Sequence, residues 1–141
     1  MAHTADERLA TALRAGGHRM TSQRLVLHRV LTELGRHTSA EELARASAER
    51  LPGLSLPTVY ATLELFEDLG LVRRVDAGGP ALFDPRPEPH AHFSCRRCGV
   101  VGDIDVAVDA SAAEAAARAT GAEPAQVDVV VRGLCAACRA L

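Results

Sequence analysis

Ser55-Leu56-Pro57-Thr58-Val59-Tyr60-Ala61-Thr62-Leu63-Glu64-Leu65-Phe66-Glu67-Asp68-Leu69-Gly70, followed by Leu71-Val72-Arg73-Arg74-Val75, is the stretch whose reading decides the fold. Ser55 has the side chain of an N-cap, Pro57 is tolerated in a first helical turn, and Gly70 stands where a helix stops. Val59, Leu63, Phe66 and Leu69 then share one apolar face at helical spacing. After Gly70 the period changes: Leu71 to Val75, the turn Asp76-Ala77-Gly78-Gly79-Pro80 and the segment Ala81-Leu82-Phe83 read as a short hairpin.

Working back from this stretch, Thr4 with Glu7 and Ser39 with Glu42 have capping-box spacing, Thr21 or Ser22 can open a second helix, and Gly35 can close it. Val26, Leu27, Val30, Leu31 and Leu34 line one face of that second helix. Four helices followed by a hairpin describe a winged helix-turn-helix over residues 1–83. Working forward, Asp84-Pro85-Arg86-Pro87-Glu88-Pro89 can hold neither helix nor central strand and is expected to be a linker over 84–89. Beyond it, His90 to Cys95 and Val100 to Val106 read as strands, Ser111 with Glu114 as the capped start of a helix ending near Gly121, and Gln126 to Val131 as a third strand. The chain is therefore expected to be α+β, with a small α/β domain at 90–141. Three strands and one helix offer a modest core, so that domain is expected to depend on a metal staple, a partner subunit or both.

The 141 residues carry 16 basic and 18 acidic side chains, a formal charge of −2, and 48% of them are apolar. That apolar content argues against general disorder, and the charge argues against a polycation that coats nucleic acid through charge alone. The balance is uneven along the chain: ten arginines and nine acids precede Val75, and six arginines and nine acids follow it. No apolar run approaches the roughly 20 residues that a membrane span needs. The first residues, through Arg8, lack a basic segment followed by an apolar one. A cytoplasmic protein without membrane association is expected.

In the helix opened by Ser55, Thr58, Tyr60 and Ala61 lie away from the apolar face, so the only tyrosine of the chain is expected at the surface. A single surface tyrosine needs no function. Here it stands in the amino-terminal part of a candidate recognition helix, which is the part that enters a major groove. Ser55, Thr58 and Tyr60 are candidate DNA contacts on this helix. Arg19 before the second helix and Arg73 and Arg74 on the wing are candidates for phosphate or minor-groove contact. Each arginine taken singly could equally be a solvated surface residue.

Cys95-Arg96-Arg97-Cys98-Gly99 and Cys135-Ala136-Ala137-Cys138 are two knuckles separated by 36 residues. Two such pairs can surround one Zn²⁺ tetrahedrally. Disulfides are disfavoured in a cytosolic chain, and a thioredoxin-like redox pair lacks its preceding βαβ pattern. Four thiolates leave no open position for water, so this zinc would be structural and the chain is not expected to be an enzyme. A softer second site is suggested by His90 and His92, two apart on one strand face, with Asp84 just before them. Asp103 and Asp105 share one face of the next strand, and His37 lies between the second and third helices. His28, inside the second helix, reads as packed or solvated. Mixed nitrogen and oxygen donors suit Fe²⁺, Mn²⁺, Zn²⁺ or Ni²⁺. Donors from both halves would let metal clamp the two domains in one orientation.

The segments Gly17 to Arg24, Leu56 to Leu63, His90 to Gly99 and Cys135 to Cys138 together resemble the ferric-uptake-regulator (Fur) family across nearly the whole chain. The resemblance implies a homodimeric transcriptional repressor that binds double-stranded, inverted-repeat operator DNA when its regulatory metal is present, with 90–141 as its dimerisation domain and structural zinc on Cys95, Cys98, Cys135 and Cys138. His37, Asp84, His90, His92 and Asp103 match the regulatory ligands of its peroxide-sensing branch, of PerR or actinobacterial FurA/CatR type, and this match favours Asp103 over Asp105. In that branch Fe²⁺ reacts with peroxide and a ligating histidine is oxidised; His37 and His90 are the matching positions. Two departures accompany the match. Ala61 stands where many members have arginine, and Gln126 to Val131 lacks a histidine used in a further metal site. Two metals per chain, zinc and Fe²⁺ or Mn²⁺, are therefore expected. The rival readings are a regulator that answers only to iron, zinc or nickel supply, an open-site metalloenzyme, and a zinc-stapled interaction module without DNA.

Overall fold

The computed structural model describes every residue except 1, 87 and 89, and of residues 2 and 3 only the backbone. Positions 87 and 89 of the expected linker thus lie outside the described residues. The chain divides into two compact units: one runs to Asp76 and resumes at Pro80, and the other combines Ala77–Gly79 with the chain from Glu88 to Leu141.

The first unit contains helices α1 (Ala2–Ala15), α2 (Ser22–Leu34), α3 (Ala40–Ser47) and α4 (Leu56–Asp68) and strands β1 (Thr38–Ser39), β2 (Arg73–Val75) and β3 (Leu82–Asp84). Local chemistry explains most of these boundaries. The side chains of Thr21, Ser39 and Ser55 accept the N–H of Arg24, Glu42 and Thr58 at 3.2, 3.1 and 3.3 Å, satisfying helix donors that otherwise lack partners. Gly35 closes α2 in the left-handed region at φ 60°, a conformation that costs glycine nothing. Thr4 behaves differently from its expected cap role. The first helix already runs from Ala2, so Thr4 lies within its first turn.

Leu9 and Leu13 of α1, Leu27, Val30 and Leu31 of α2, Leu43 of α3, Val59, Leu63 and Phe66 of α4, and Val72 and Phe83 of the hairpin form one buried cluster. Each fully buried leucine or phenylalanine contributes roughly 1.5–3 kcal/mol of transfer free energy, so this cluster dominates the unit's stability. Asp6 and Arg29 add a forked ion pair between α1 and α2 at 2.7–3.2 Å. The sheet order is β1-β3-β2 and all pairing is antiparallel. Helices α3 and α4 followed by the β2–β3 hairpin form a winged helix-turn-helix. The two-residue strand β1 has no periodic signal of its own, being too short for one.

The second unit contains β4 (Ala91–Cys95), β5 (Val101–Ile104), α5 (Ser111–Ala119), β6 (Val129–Gly133) and α6 (Ala136–Arg139). Its sheet has the order β5-β4-β6, with β4 antiparallel to β5 and parallel to β6. Four details depart from the sequence reading. Strand β5 covers Val101–Ile104 and not the whole of Val100 to Val106. Ala110, not Ser111, is the N-cap of α5, and Asp109 Oδ1 accepts the Ser111 N–H at 3.0 Å. The third strand begins at Val129 rather than Gln126. Short α6 was not anticipated; its N-cap is Cys135, whose sulfur accepts the Cys138 N–H at 3.5 Å.

Candidate metal centres

Strands β4 and β6 run parallel with Cys95 opposite Gly133, so both knuckles leave the sheet at the same end. Gly99 makes the first knuckle's turn at φ 79° and donates its N–H to the Cys95 carbonyl at 3.0 Å. The Arg96 N–H donates to the Gly133 carbonyl at 2.8 Å and Arg97 Nη1 to the Cys138 carbonyl at 2.9 Å, tying one knuckle to the other. As a result the sulfurs of Cys95, Cys98, Cys135 and Cys138 all lie within 4.8 Å of one another. No cysteine is in a disulfide. The Cys98 and Cys135 sulfurs are 3.8 Å apart, and a tetrahedron with zinc–sulfur bonds of about 2.3 Å has edges of about 3.8 Å.

The electrostatics also favour a cation. Backbone N–H groups of Cys98 and Cys135 pull the Cys95 thiol down to about 5. Cys138 moves the other way, to about 12, through its hydrogen bond with Cys135 and its burial. Four adjacent sulfurs cannot all ionise without a positive charge among them, and a divalent cation supplies it. The four-cysteine cluster fits a tetrahedral zinc site.

The histidine and aspartate donors form two sets, one in each unit. In the first unit the ladder pairs Thr38 with Phe83, which places His37 next to the end of β3. His37 Nε2 lies 3.1 Å from Asp84 Oδ2, and Asp84 Oδ1 accepts the Arg86 N–H at 2.9 Å. Asp84 is only 2% exposed. In the second unit the β4–β5 register places Asp103 opposite His92. Asp103 Oδ1 lies 3.0 Å from His90 Nε2 and 3.6 Å from His92 Nε2, and the two rings are 4.4 Å apart. Asp105 lies beyond the end of β5 and is exposed.

His90 Nδ1 is 2.7 Å from the Glu88 carbonyl, which can only accept, so Nδ1 carries the proton. In the neutral ring Nε2 is then a lone pair directed at a carboxylate oxygen. Two acceptors at 3.0 Å require a proton or a metal cation between them. This donor chemistry suits a divalent metal.

A model of the ferric uptake regulator family matches residues 15–132. The chain belongs to the ferric uptake regulator family. Its members are metal-dependent regulators, and the two donor groups lie within or beside the matched region. The peroxide-responsive repressor PerR of Staphylococcus epidermidis is 28% identical over 138 residues, covering 97% of this chain and 91% of that relative. The PerR structure from Streptococcus pyogenes, solved for peroxide sensing and gene regulation, shares 27% identity over 95% of this chain and 92% of its own, with a TM-score of 0.55. The ferric uptake regulator of Helicobacter pylori has the same fold at TM-score 0.76 and 20% identity, covering 99% of this chain and 94% of its own.

Within this family member, the residues singled out for DNA lie in the winged-helix unit. Arg19 is exposed and its carbonyl accepts from Arg24 Nη1 at 2.6 Å. Ser55 is exposed and Thr58 half-buried, with their hydroxyls 2.8 Å apart. Tyr60 is 37% exposed and donates its hydroxyl to Glu41 Oε1 at 2.9 Å. Arg74 is exposed, with Nε 3.3 Å from Asp76 Oδ1. Arg73 departs from the expectation of a solvent-facing phosphate contact, because it is only 8% exposed. The β2–β3 register places it opposite Asp84, and directly opposed antiparallel residues share one sheet face. A buried carboxylate favours such a neighbouring cation. Glu41 was missed altogether, since nothing local relates it to a tyrosine nineteen residues away.

Proposed function

We propose that this chain is a transcriptional repressor that binds operator DNA as a homodimer, requires a regulatory metal to do so, and is inactivated by peroxide through oxidation of a ligand histidine. The observation that carries the peroxide reading is the donor chemistry: His37 with Asp84, and His90 with His92 and Asp103. Two carboxylates and three imidazoles suit Fe²⁺ or Mn²⁺, and the PerR relatives are peroxide-responsive. We further propose that one cation draws donors from both sets, so that metal binding fixes the units in a DNA-competent orientation.

His37, Asp84, His90, His92 and Asp103 would hold Fe²⁺, which would supply one-electron reduction of peroxide beside the imidazoles. The chain's part is to hold that chemistry against oxidisable rings. The Glu88 carbonyl keeps the His90 proton on Nδ1 and its lone pair on Nε2, and burial of Asp84 and His92 keeps competing water scarce. The four cysteines take a structural zinc ion, which leaves their sulfurs unsuited to be the primary sensor. Residues 1–83 serve DNA reading through Arg19, Ser55, Thr58, Tyr60 and Arg74, and residues 90–141 serve dimerisation. Exposed Val129 and Val131 on the edge strand β6, and a helix α5 with no buried residue, support a second copy as their cover.

Mass spectrometry of the Fe²⁺-loaded protein after hydrogen peroxide treatment tests the sensing chemistry. One added oxygen on His37 or His90, with loss of operator binding, is expected. Intact histidines alongside reversible, metal-controlled binding would instead make the chain a regulator of iron, zinc or nickel uptake that answers to metal supply alone.

A further inference from the structure

The hydroxyl of Tyr60 is already committed within the winged-helix unit. It donates to Glu41 Oε1 at 2.9 Å, from the amino-terminal half of α4 to the first turn of α3. The acceptor is a carboxylate, which makes this a charge-assisted bond of the stronger kind. The bond raises the Tyr60 phenol above its ordinary value, burial adds to the rise, and the charge of wing residue Arg74 partly offsets it. Tyr60 is therefore bonded to the Glu41 carboxylate and feels the charge of Arg74.

Two consequences follow from hydrogen-bond arithmetic. A phenol has one proton to give, and here Glu41 takes it. Phosphate oxygens only accept, so Tyr60 cannot bond a phosphate without breaking the Glu41 bond. What remains for DNA is the ring, suited to a thymine methyl, and the oxygen lone pairs. The second consequence is electrostatic. Sequence-independent DNA binding rests on phosphate neutralisation, and a carboxylate beside the reading helix opposes it.

We propose that Glu41 is a specificity-setting positioning residue for DNA reading: it holds the Tyr60 hydroxyl and restricts the phenol to base contact, while its charge lowers affinity for every duplex alike. This rests on the DNA-binding reading above. The pairing would let a chain with Ala61 beside its tyrosine discriminate sequence, because the Glu41 bond presents the Tyr60 ring in one orientation.

The test uses full-length protein loaded with zinc and Mn²⁺, an operator selected from a random duplex pool, and a scrambled duplex of equal composition. Glu41→Gln keeps an acceptor oxygen and loses the charge; it should raise affinity for both duplexes alike, by about threefold at low salt. Glu41→Ala loses both; it should raise affinity for the scrambled duplex by a similar factor with no gain on the operator, so the specificity ratio falls. Tyr60→Phe should lower that ratio as Glu41→Ala does, and the double variant should lower it no further. Circular dichroism of each variant establishes that the fold is kept. Equal shifts on both duplexes for Glu41→Ala, or additive losses in the double variant, would overturn the proposal while leaving DNA reading intact. Failure of the wild-type protein to select any sequence would sink the DNA reading and this proposal with it.

Discussion

The two units reach stability by different routes. The first buries a continuous set of leucines, valines and phenylalanines, among them Leu9, Leu13, Leu31, Leu63, Phe66 and Phe83, each at 1% exposure or less. The second, from β4 to α6, buries Ala91, Cys95 and Cys138 as its apolar core, leaves Val129 and Val131 exposed, and has an α5 with no buried residue. A leucine core stands on water exclusion alone, whereas a sheet of this kind needs bonds or a partner to hold it. One chain thus combines a helical unit with a large apolar core and a smaller module whose own buried apolar set is slight.

Removing the zinc should break that comparison most severely. Apparent binding free energies at structural zinc sites are on the order of 10–16 kcal/mol, so a strong chelator, or Cys95→Ser, should unfold the second unit. Strand signal in circular dichroism and the proposed dimerisation should both be lost while the helical signal persists. A zinc-free protein with unchanged spectrum and unchanged dimer would show that the cysteines do not carry the module.

The converse experiment attacks the leucine core. Phe66→Ala should cost the first unit about 3–5 kcal/mol. Chemical denaturation followed by helical signal should show the loss, and zinc content should stay at that of the wild type. Loss of zinc together with the helices would mean that the units depend on each other for folding.

The smallest effect comes from acid. His28 is 6% exposed and packs edge-on against Phe66 with ring centres 5.5 Å apart. Burial lowers its pKa, the positive charge of Arg8 on α1 lowers it further, and Asp6 on the same helix partly counteracts both. The unfolded chain therefore binds this proton more readily than the folded one. Stability from His28 is full above its ordinary value of 6.5 and is lost as the pH falls through that value toward the lowered folded one. Denaturation of the metal-loaded protein between pH 7.5 and 5 should show a declining first-unit midpoint, and His28→Leu should flatten the decline. An identical slope in that variant would remove His28 as its source.

What could be read before the fold was known was local chemistry. Caps at Thr21, Ser39 and Ser55 and the apolar faces of α2 and α4 depend on residues three or four apart, and all of these appear as expected. Thr4 and Ser111 show the limit of that logic: the capping-box pattern is present at both, yet one helix starts earlier and the other is begun from Asp109 and Ala110. The knuckles were legible because Cys-x-x-Cys is a short-range turn motif, although α6 inside the second one was not. Arg73 misled because a strand alternates faces, and which face is buried is decided by the partner strand.

Sequence alone thus determined α2, α3 and α4 with their caps, the hairpin and the two cysteine pairs, since each is a matter of neighbours along the chain. Only tertiary structure decided the rest. The β1–β3 ladder sets His37 beside Asp84, the parallel β4–β6 pairing brings Cys95 toward Cys135, and α3 against α4 brings Glu41 to Tyr60. Those meetings depend on backbone hydrogen bonds and packing between segments distant in sequence, whose register is set by burial across the whole unit and leaves no trace in local spacing.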